Sequence, residues 1–306
     1  MIVKAFSSSA NLGAGYDILA LAHDAFEDTI EIYVQNSSEL DIKVEGNGVP
    51  LSIEKNSASF ALLELLRSYD IKAKIRLKII KGIPAGLGLG SSGASAAAAV
   101  YAANEIFKLG LSRQELVNFA MKGEIASSGS PHPDNVAASL VGGLVSVLNS
   151  NPVKVEQVPL NLEFQIILII PFVRIEAKTK KAREMVPKQI DTSKYVTNAR
   201  YLSSLLLGFI KGDRELVRLG LNDEIIEKAR EPLFPHYPKI KEISLLYDAI
   251  GACVSGAGPT IAIFVDSKSD KNKILGESLN VCKAYGYECT YKIAKVSGGA
   301  WVERRD

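Results

Sequence analysis

A chain of 306 residues, 47% apolar and 23% charged, has enough apolar material for one large folded domain or two ordinary ones. A formal charge of only +2, without blocks of like charge, argues against a nucleic-acid partner. The longest apolar runs, residues 94–103 and 164–173, fall short of a membrane span, and residues 1–17 lack the apolar centre of a signal peptide, so a cytoplasmic protein without a membrane partner is expected.

Short apolar runs at 2–6, 18–26, 29–34 and 40–45 open the chain, and the later ones alternate Ile, Tyr and Val with polar residues as half-buried strands do. A helix is expected over 57–69 with its cap near Asn56, then a strand over 73–80 in which Lys or Arg alternates with Ile or Leu. Residues 84–94 form a glycine-rich turn that runs into an alanine-rich helix reaching about Lys108, and Ser112 with Glu115 makes a capping box for a helix over 112–121. The pattern changes at the Asn- and Pro-containing stretch 149–152, so domains of residues 1–150 and 151–306 are expected. Beyond it come a strand at 164–170, helices at 194–211 and 238–250, strands at 251–254 and 260–265, a helix at 271–285 and a strand at 288–296. With its first helical region enlarged, that order is the β-α-β-β-α-β of a split βαβ unit. Cys253, Cys282 and Cys289 are odd in number and lack metal-ligand spacing, so small buried or half-buried thiols in a reducing compartment are expected.

The chemistry concentrates in Pro84-Ala85-Gly86-Leu87-Gly88-Leu89-Gly90-Ser91-Ser92-Gly93-Ala94. Gly86, Gly88 and Gly90 can take positive φ and bring several N–H groups close to an anion. The helix that Ser91 and Ser92 open has unpartnered N–H groups and a positive dipole end there, and its first hydroxyls can donate to phosphate or ligate magnesium. No Gly-Lys-Ser/Thr follows, as a Walker loop requires, and the Pro84 start with paired serines does not fit a dinucleotide fingerprint. On glycine content alone, a plain strand-to-helix turn explains the segment equally well.

Other clusters accompany it. Residues 8–17 combine two glycines with Asn11 and Asp17, a ligand loop or a self-capping turn. Glu124 precedes Ser130-Pro131-His132-Pro133-Asp134-Asn135 and the pair Gly142-Gly143, while residues 254–260, taken alone, read as a tight turn between strands. The basic run 178–183 reads by itself as a solvated helix face.

Residues 84–94 resemble the Pro-x-x-x-Gly-Leu-Gly-Ser-Ser loop of the GHMP kinases, the small-molecule kinases named for galactose, homoserine, mevalonate and phosphomevalonate, with Gly93 where Ala is usual. Residues 8–17 are similar to the Ser-Ser-Ala-Asn-Leu-Gly-Pro-Gly-Phe-Asp signature of the family's homoserine branch, Ala14 and Tyr16 being departures. Glu124 with residues 130–143 is similar to that branch's Glu-Gly…His-x-Asp-Asn-Val…Gly-Gly region, although Ala138 stands where many members have Pro. Residues 254–260 resemble the second glycine-rich motif, residues 179–183 the Thr-x-x-Ala-Arg segment, and residues 230–235 the Arg-x-Pro-Leu-x-Pro segment.

The resemblance implies a two-domain α+β fold, with an N-terminal domain like ribosomal protein S5 domain 2 and a ferredoxin-like C-terminal domain. It implies phosphorylation of the homoserine side-chain hydroxyl by ATP with Mg2+, in threonine biosynthesis, by a homodimer. Asn56 and residues 84–94 would bind ATP; Ser92 and Glu124 would hold the metal and, with Asn135, act in catalysis. Homoserine would meet Asn11, Asp17, His132, Asn135, Thr179, Arg183, Arg230 and Gly256, with Arg183 and Arg230 gripping its carboxylate and Asp17 taking its ammonium. Mevalonate-type relatives carry a Lys in the N-terminal loop that residues 7–9 do not provide, which leaves Asp134 and His132 as candidate bases. The alternatives are a mevalonate- or shikimate-type kinase of the same family, or an inactive nucleotide-binding relative.

Overall fold

Antiparallel pairing between β1 (Ile2–Asn11) and β2 (Gly15–Asn36) sets up the first sheet of the computed structural model, which describes residues 1–173 and 178–304 without the side chains of residues 127, 128 and 178–180. The runs expected at 18–26 and 29–34 are one strand, because a register shift at Phe6/Ser7 lets β2 bend without losing its partner. β3 (Asp41–Glu45) leads to α1 (Ser57–Ser68), capped by Asn56, whose Oδ1 accepts from the Ala58 and Ser59 amides at 3.0 and 3.2 Å. β4 (Ala73–Ile80) alternates as expected, burying Ala73, Ile75, Leu77 and Ile79 while Lys74 and Arg76 stay exposed. α2 (Ser91–Phe107) follows the glycine loop. Next come α3 (Arg113–Ala120) with the expected capping box, α4 (Gly123–Ser128), α5 (Asp134–Val141), and a hairpin of β5 (Leu144–Ser150) and β6 (Val153–Val158). α2 is buried nearly all round; its run of alanines lets α1, α3, α5 and the sheet approach together. Gly93 belongs to the same packing, since a Cβ there would stand 3.2 Å from the Val136 amide of α5.

The second half runs β7 (Gln165–Pro171), α6 (Lys178–Glu184), α7 (Thr192–Lys211), α8 (Arg214–Gly220), α9 (Ile226–Arg230), α10 (Tyr237–Leu246), β8 (Gly251–Val254), β9 (Ile261–Val265), α11 (Lys271–Ala284), β10 (Cys289–Ala294) and β11 (Trp301–Val302). Its sheet has the order β10-β7-β9-β8, all antiparallel, which is the fourth-first-third-second order of a split βαβ unit. β7 and β9 are buried on both faces. Ile166, Leu168 and Phe264 join the core that holds Leu205 and Phe209 of α7, whereas Ile167, Ile169 and Ile263 join Ile240 of α10 and Ile274 of α11.

The first sheet reads β11-β1-β2-β4-β3, with β5 against β2 and β6 against β5. The division expected at residues 150 and 151 therefore falls at the tip of the β5–β6 hairpin, and the chain returns to the first sheet at β11. Cys282 and Cys289 form a disulfide joining α11 to β10, so the expectation of free thiols holds only for buried Cys253. Among the described residues, no helix is long and apolar enough to cross a membrane.

Candidate active site

Between β4 and α2, Gly88 and Gly90 occupy places where a side chain would collide. Gly88 has φ +81°, and a Cβ there would stand 2.2 Å from the Ser255 carbonyl oxygen; at Gly90, φ +69°, it would stand 2.2 Å from Ser8 Oγ. Three successive loop carbonyls are each tied to a donor from a distant segment. Thr260 N–H donates to Leu87 O at 3.4 Å, Ser255 Oγ to Gly88 O at 2.6 Å, and Ser8 N–H to Leu89 O at 3.1 Å. The first turn of α2 lines the cavity immediately afterwards, so the positive end of a helix faces it. Gly256 N–H donates to Ala10 O at 3.0 Å and Asn11 Nδ2 to Gly256 O at 2.8 Å, which joins the N-terminal loop to the second glycine-rich loop. Three segments far apart in sequence thus enclose one cavity of about 780 Å³.

Under the loop lies a buried ionic group that local sequence does not reveal. Asp28, fully buried on β2, accepts from the Gly82 and Ile83 amides at 3.0 Å and from Ser95 Oγ at 2.7 Å, and it pairs with Lys81. Lys81 Nζ also donates to Ser91 O at 2.7 Å; burial lowers its pKa, against the pull of Asp28. One carboxylate therefore fastens both the entry to the loop and the first turn of α2. The pairing exists only because β2 and β4 lie side by side.

Ser92, in the first turn of α2, donates to Glu124 Oε2 on α4 at 3.1 Å, so the two residues expected to act together do meet at the cavity wall. Asn135, near the start of α5, accepts at Oδ1 from Ser8 Oγ at 2.9 Å. Its neighbour Asp134 is buried, and burial, then the nearby charge of Asp17, push its carboxyl up to about 6. His132 has Ser130 Oγ 3.1 Å from Nε2 and Arg183 Nη2 3.0 Å from Nδ1; burial and the Arg183 charge lower its pKa. Asn56 lines the cavity too, but its amide serves the fold: Oδ1 caps α1, and Nδ2 donates to Pro50 O at 2.8 Å.

At the opposite end, Arg183 makes a two-pronged ion pair with Asp17, Nη1 to Oδ2 at 3.2 Å and Nη2 to Oδ1 at 3.1 Å. Arg183 Nη1 also donates to the Tyr16 hydroxyl at 3.1 Å, and Arg230 Nη2 donates to the same hydroxyl at 3.3 Å. Arg230 is only 3% exposed and is anchored by Nε donating to Ala182 O at 2.7 Å. The two arginines expected to act as a clamp therefore converge on one phenolic oxygen. Tyr16, noted only as a departure from a Phe, is the residue that joins them. The Thr179 side chain lies outside the described residues.

The glycine-rich loop lies within residues 56–143, which match the GHMP kinases N terminal domain, and residues 205–280, which hold β8, β9 and the helices from α8 to α10 of the second half, match GHMP kinases C terminal. The chain belongs to the GHMP kinase family. It is 99% identical over 306 residues, all of both chains, to a homoserine kinase of Sulfurisphaera tokodaii. It is 59% identical to one of Saccharolobus solfataricus, over 99% of this chain and 98% of that one. The crystal structure of homoserine kinase from Cytophaga hutchinsonii superposes with a TM-score of 0.90 at 31% identity, covering 98% of this chain and 96% of that one. Mevalonate kinase from Methanococcus jannaschii shares the fold, with a TM-score of 0.68 at 16% identity over 97% of this chain and 98% of that one.

Proposed function

We infer that the chain is a homoserine kinase, transferring the γ-phosphoryl group of ATP to the side-chain hydroxyl of L-homoserine to give O-phospho-L-homoserine and ADP for threonine biosynthesis. The observation that carries this reading is the group of Asp17, Arg183 and Arg230 around Tyr16, in the same cavity as the phosphate loop. Homoserine has an ammonium and a carboxylate at one end and its reacting hydroxyl at the other. Asp17 suits the ammonium and the guanidinium pair suits the carboxylate, so the substrate's two charges substitute for the partners these groups give each other. Arg183 Nε, buried without a hydrogen-bond partner among the described residues, is a further donor for that carboxylate. Mevalonate and shikimate have no ammonium to offer Asp17.

The loop from Gly86 to Gly90 and the start of α2 would hold the phosphates, with Asn135, fixed by Ser8, at the hydroxyl end of the acceptor. Ser92 and Glu124 fit Mg2+: a hydroxyl and a carboxylate are hard oxygen donors, and among the described residues there is no group of three His, Cys, Asp or Glu that would build an all-protein cage. When bound, the ion supplies charge neutralisation at the transferred phosphoryl group. The chain's own contribution is alignment, with the acceptor hydroxyl directed at phosphate held on a helix terminus. His132 is engaged by Ser130 and Arg183, and buried Asp134 accepts from the Asn135 amide, so neither is assigned the role of base.

ADP release measured with homoserine, mevalonate, shikimate and no acceptor tests the reading. Turnover with homoserine alone is expected. Equal release without acceptor, or faster release with mevalonate, would overturn it.

A further inference from the structure

Tyr16 stands at the start of β2, on the cavity wall, with a guanidinium from each of two helices on its oxygen. Arg183 of α6 donates from Nη1 at 3.1 Å and Arg230 of α9 from Nη2 at 3.3 Å. Arg230 also lies over the ring, its Cζ 4.8 Å from the centroid. The two cations are not equally neutralised. Arg183 has the Asp17 carboxylate, whereas buried Arg230 makes no ion pair among the described residues, and burial lowers its pKa. The described partners of Arg230 are a carbonyl, a phenol oxygen and an aromatic face, none of which carries a negative charge.

The phenol proton is the second element without a described partner. A phenolic hydroxyl has one proton to give and can also accept, whereas a guanidinium can only donate. Both arginine contacts therefore use Tyr16 as the acceptor, and its own proton is still to be placed. Among the described residues nothing accepts it; Asp17, next in the chain, has both carboxylate oxygens on Arg183. Burial, then the Asp17 charge, raise the pKa of Tyr16, so the hydroxyl keeps its proton near pH 7. An O–H flanked by two cations at the cavity wall is matched by an anionic oxygen, which would also meet Arg183 Nε, buried without a partner among the described residues.

We propose that Tyr16 is a specificity-determining residue for the acceptor: its hydroxyl accepts from Arg183 and Arg230, holding two like charges at one point, and gives its own proton to the acceptor's carboxylate, a donor that phenylalanine lacks. This deepens the homoserine kinase reading and rests on it. A carboxylate entering here meets two guanidinium forks and an O–H between them. A neutral group in the same place leaves the Arg230 charge without an anion, so the site selects against acceptors that lack the carboxylate.

Steady-state kinetics of the full chain and its Tyr16→Phe variant, with homoserine and with homoserine amide as acceptors, test this. The variant loses one oxygen and keeps the ring against Arg230. The KM for homoserine should rise about 5- to 30-fold with the KM for ATP within about twofold, and the rise should shrink to about twofold with the amide. An unchanged KM for homoserine, or equal rises for acid and amide, would overturn the proposal. Replacing Tyr16 by fluorotyrosine, with the fluorine beside the hydroxyl, separates giving from accepting, because it makes the phenol a stronger donor and a weaker acceptor. A KM for homoserine no higher than that of wild type is expected; a rise like that of Tyr16→Phe would leave the oxygen as a brace for the arginines alone and would also overturn the proposal. Wild-type turnover decides the underlying reading separately. If homoserine is not phosphorylated, that reading fails and takes this proposal with it; if it is, the Tyr16 variants decide this proposal alone.

Discussion

The two ends of the cavity are built on different principles. At the glycine-loop end, proposed to hold phosphate, backbone and short side chains are locked by hydrogen bonds: the Leu87, Gly88 and Leu89 carbonyls each meet a donor, and Asp28 ties the loop entry to α2. At the Tyr16 end, proposed to hold the acceptor, long charged side chains satisfy one another, Asp17 with Arg183 and both arginines with Tyr16. On the proposed function, a preorganised phosphate site would have little to reorganise as charge shifts in the transition state, whereas the acceptor site would exchange partners when a zwitterion enters. Changes at the first end should therefore act on turnover and ATP, and changes at the second on the acceptor according to its charge.

The largest effect should come from Glu124→Gln, which keeps the shape but removes the carboxylate paired with Ser92: turnover should fall about 100-fold or more at saturating magnesium, with the circular dichroism spectrum unchanged. Near-normal turnover would take Glu124 out of the site. Gly88→Ala comes next. Its Cβ would meet the Ser255 carbonyl at 2.2 Å in a left-handed backbone, and the KM for ATP should rise about tenfold with a smaller change for homoserine. Equal rises in both constants would mean that the loop is not a separate phosphate element.

Arg183→Lys probes the other end. Charge is conserved but the planar fork is lost, so kcat/KM for homoserine should fall by roughly 1.5 to 3 kcal/mol with ATP affinity nearly unchanged, and by much less for an acceptor whose carboxylate is a neutral amide. Wild type and variant discriminating equally between acid and amide would show that Arg183 does not contact the carboxylate.

Asp134 gives a smaller effect, on stability. Its folded pKa of about 6 lies above the ordinary 3.8, so the native state holds that proton more tightly than the unfolded chain. The stability this group contributes is fully present below its unfolded pKa and is lost as pH rises through its folded pKa. Asp134→Asn should flatten the fall in denaturation midpoint between those values; an unchanged slope would assign the fall to other groups. The least consequence for catalysis is expected far from both ends: replacing Cys282 and Cys289 by Ser should cost about 2 to 3 kcal/mol of stability with both KM values within about twofold of wild type. A kinetic change in that variant would show that the α11–β10 edge communicates with the cavity.

Local pattern carried a good deal. The capping box of Ser112 and Glu115, the Asn56 cap, the alternation of β4 and the positive φ of Gly88 and Gly90 depend on neighbours within a few residues, so they were legible in sequence. The motifs likewise named Ser92 with Glu124, and named Asp17 and Arg183 for opposite charges of the substrate rather than for each other. Short elements were not legible: α4, α8 and α9 span too few turns to show a period, and the β5–β6 hairpin lay across what read as a break.

The sequence by itself determined which residues could bend the backbone around an anion and which could carry charge. Only the tertiary structure decided their partners. Asp28 reaches Lys81, Ser9 meets both His23 and Ser255, Tyr16 joins two arginines and Cys282 finds Cys289 because the packing of strands and helices brings these segments together. A buried polar group takes whichever partner the fold sets within hydrogen-bonding distance, and no spacing along the chain encodes that choice.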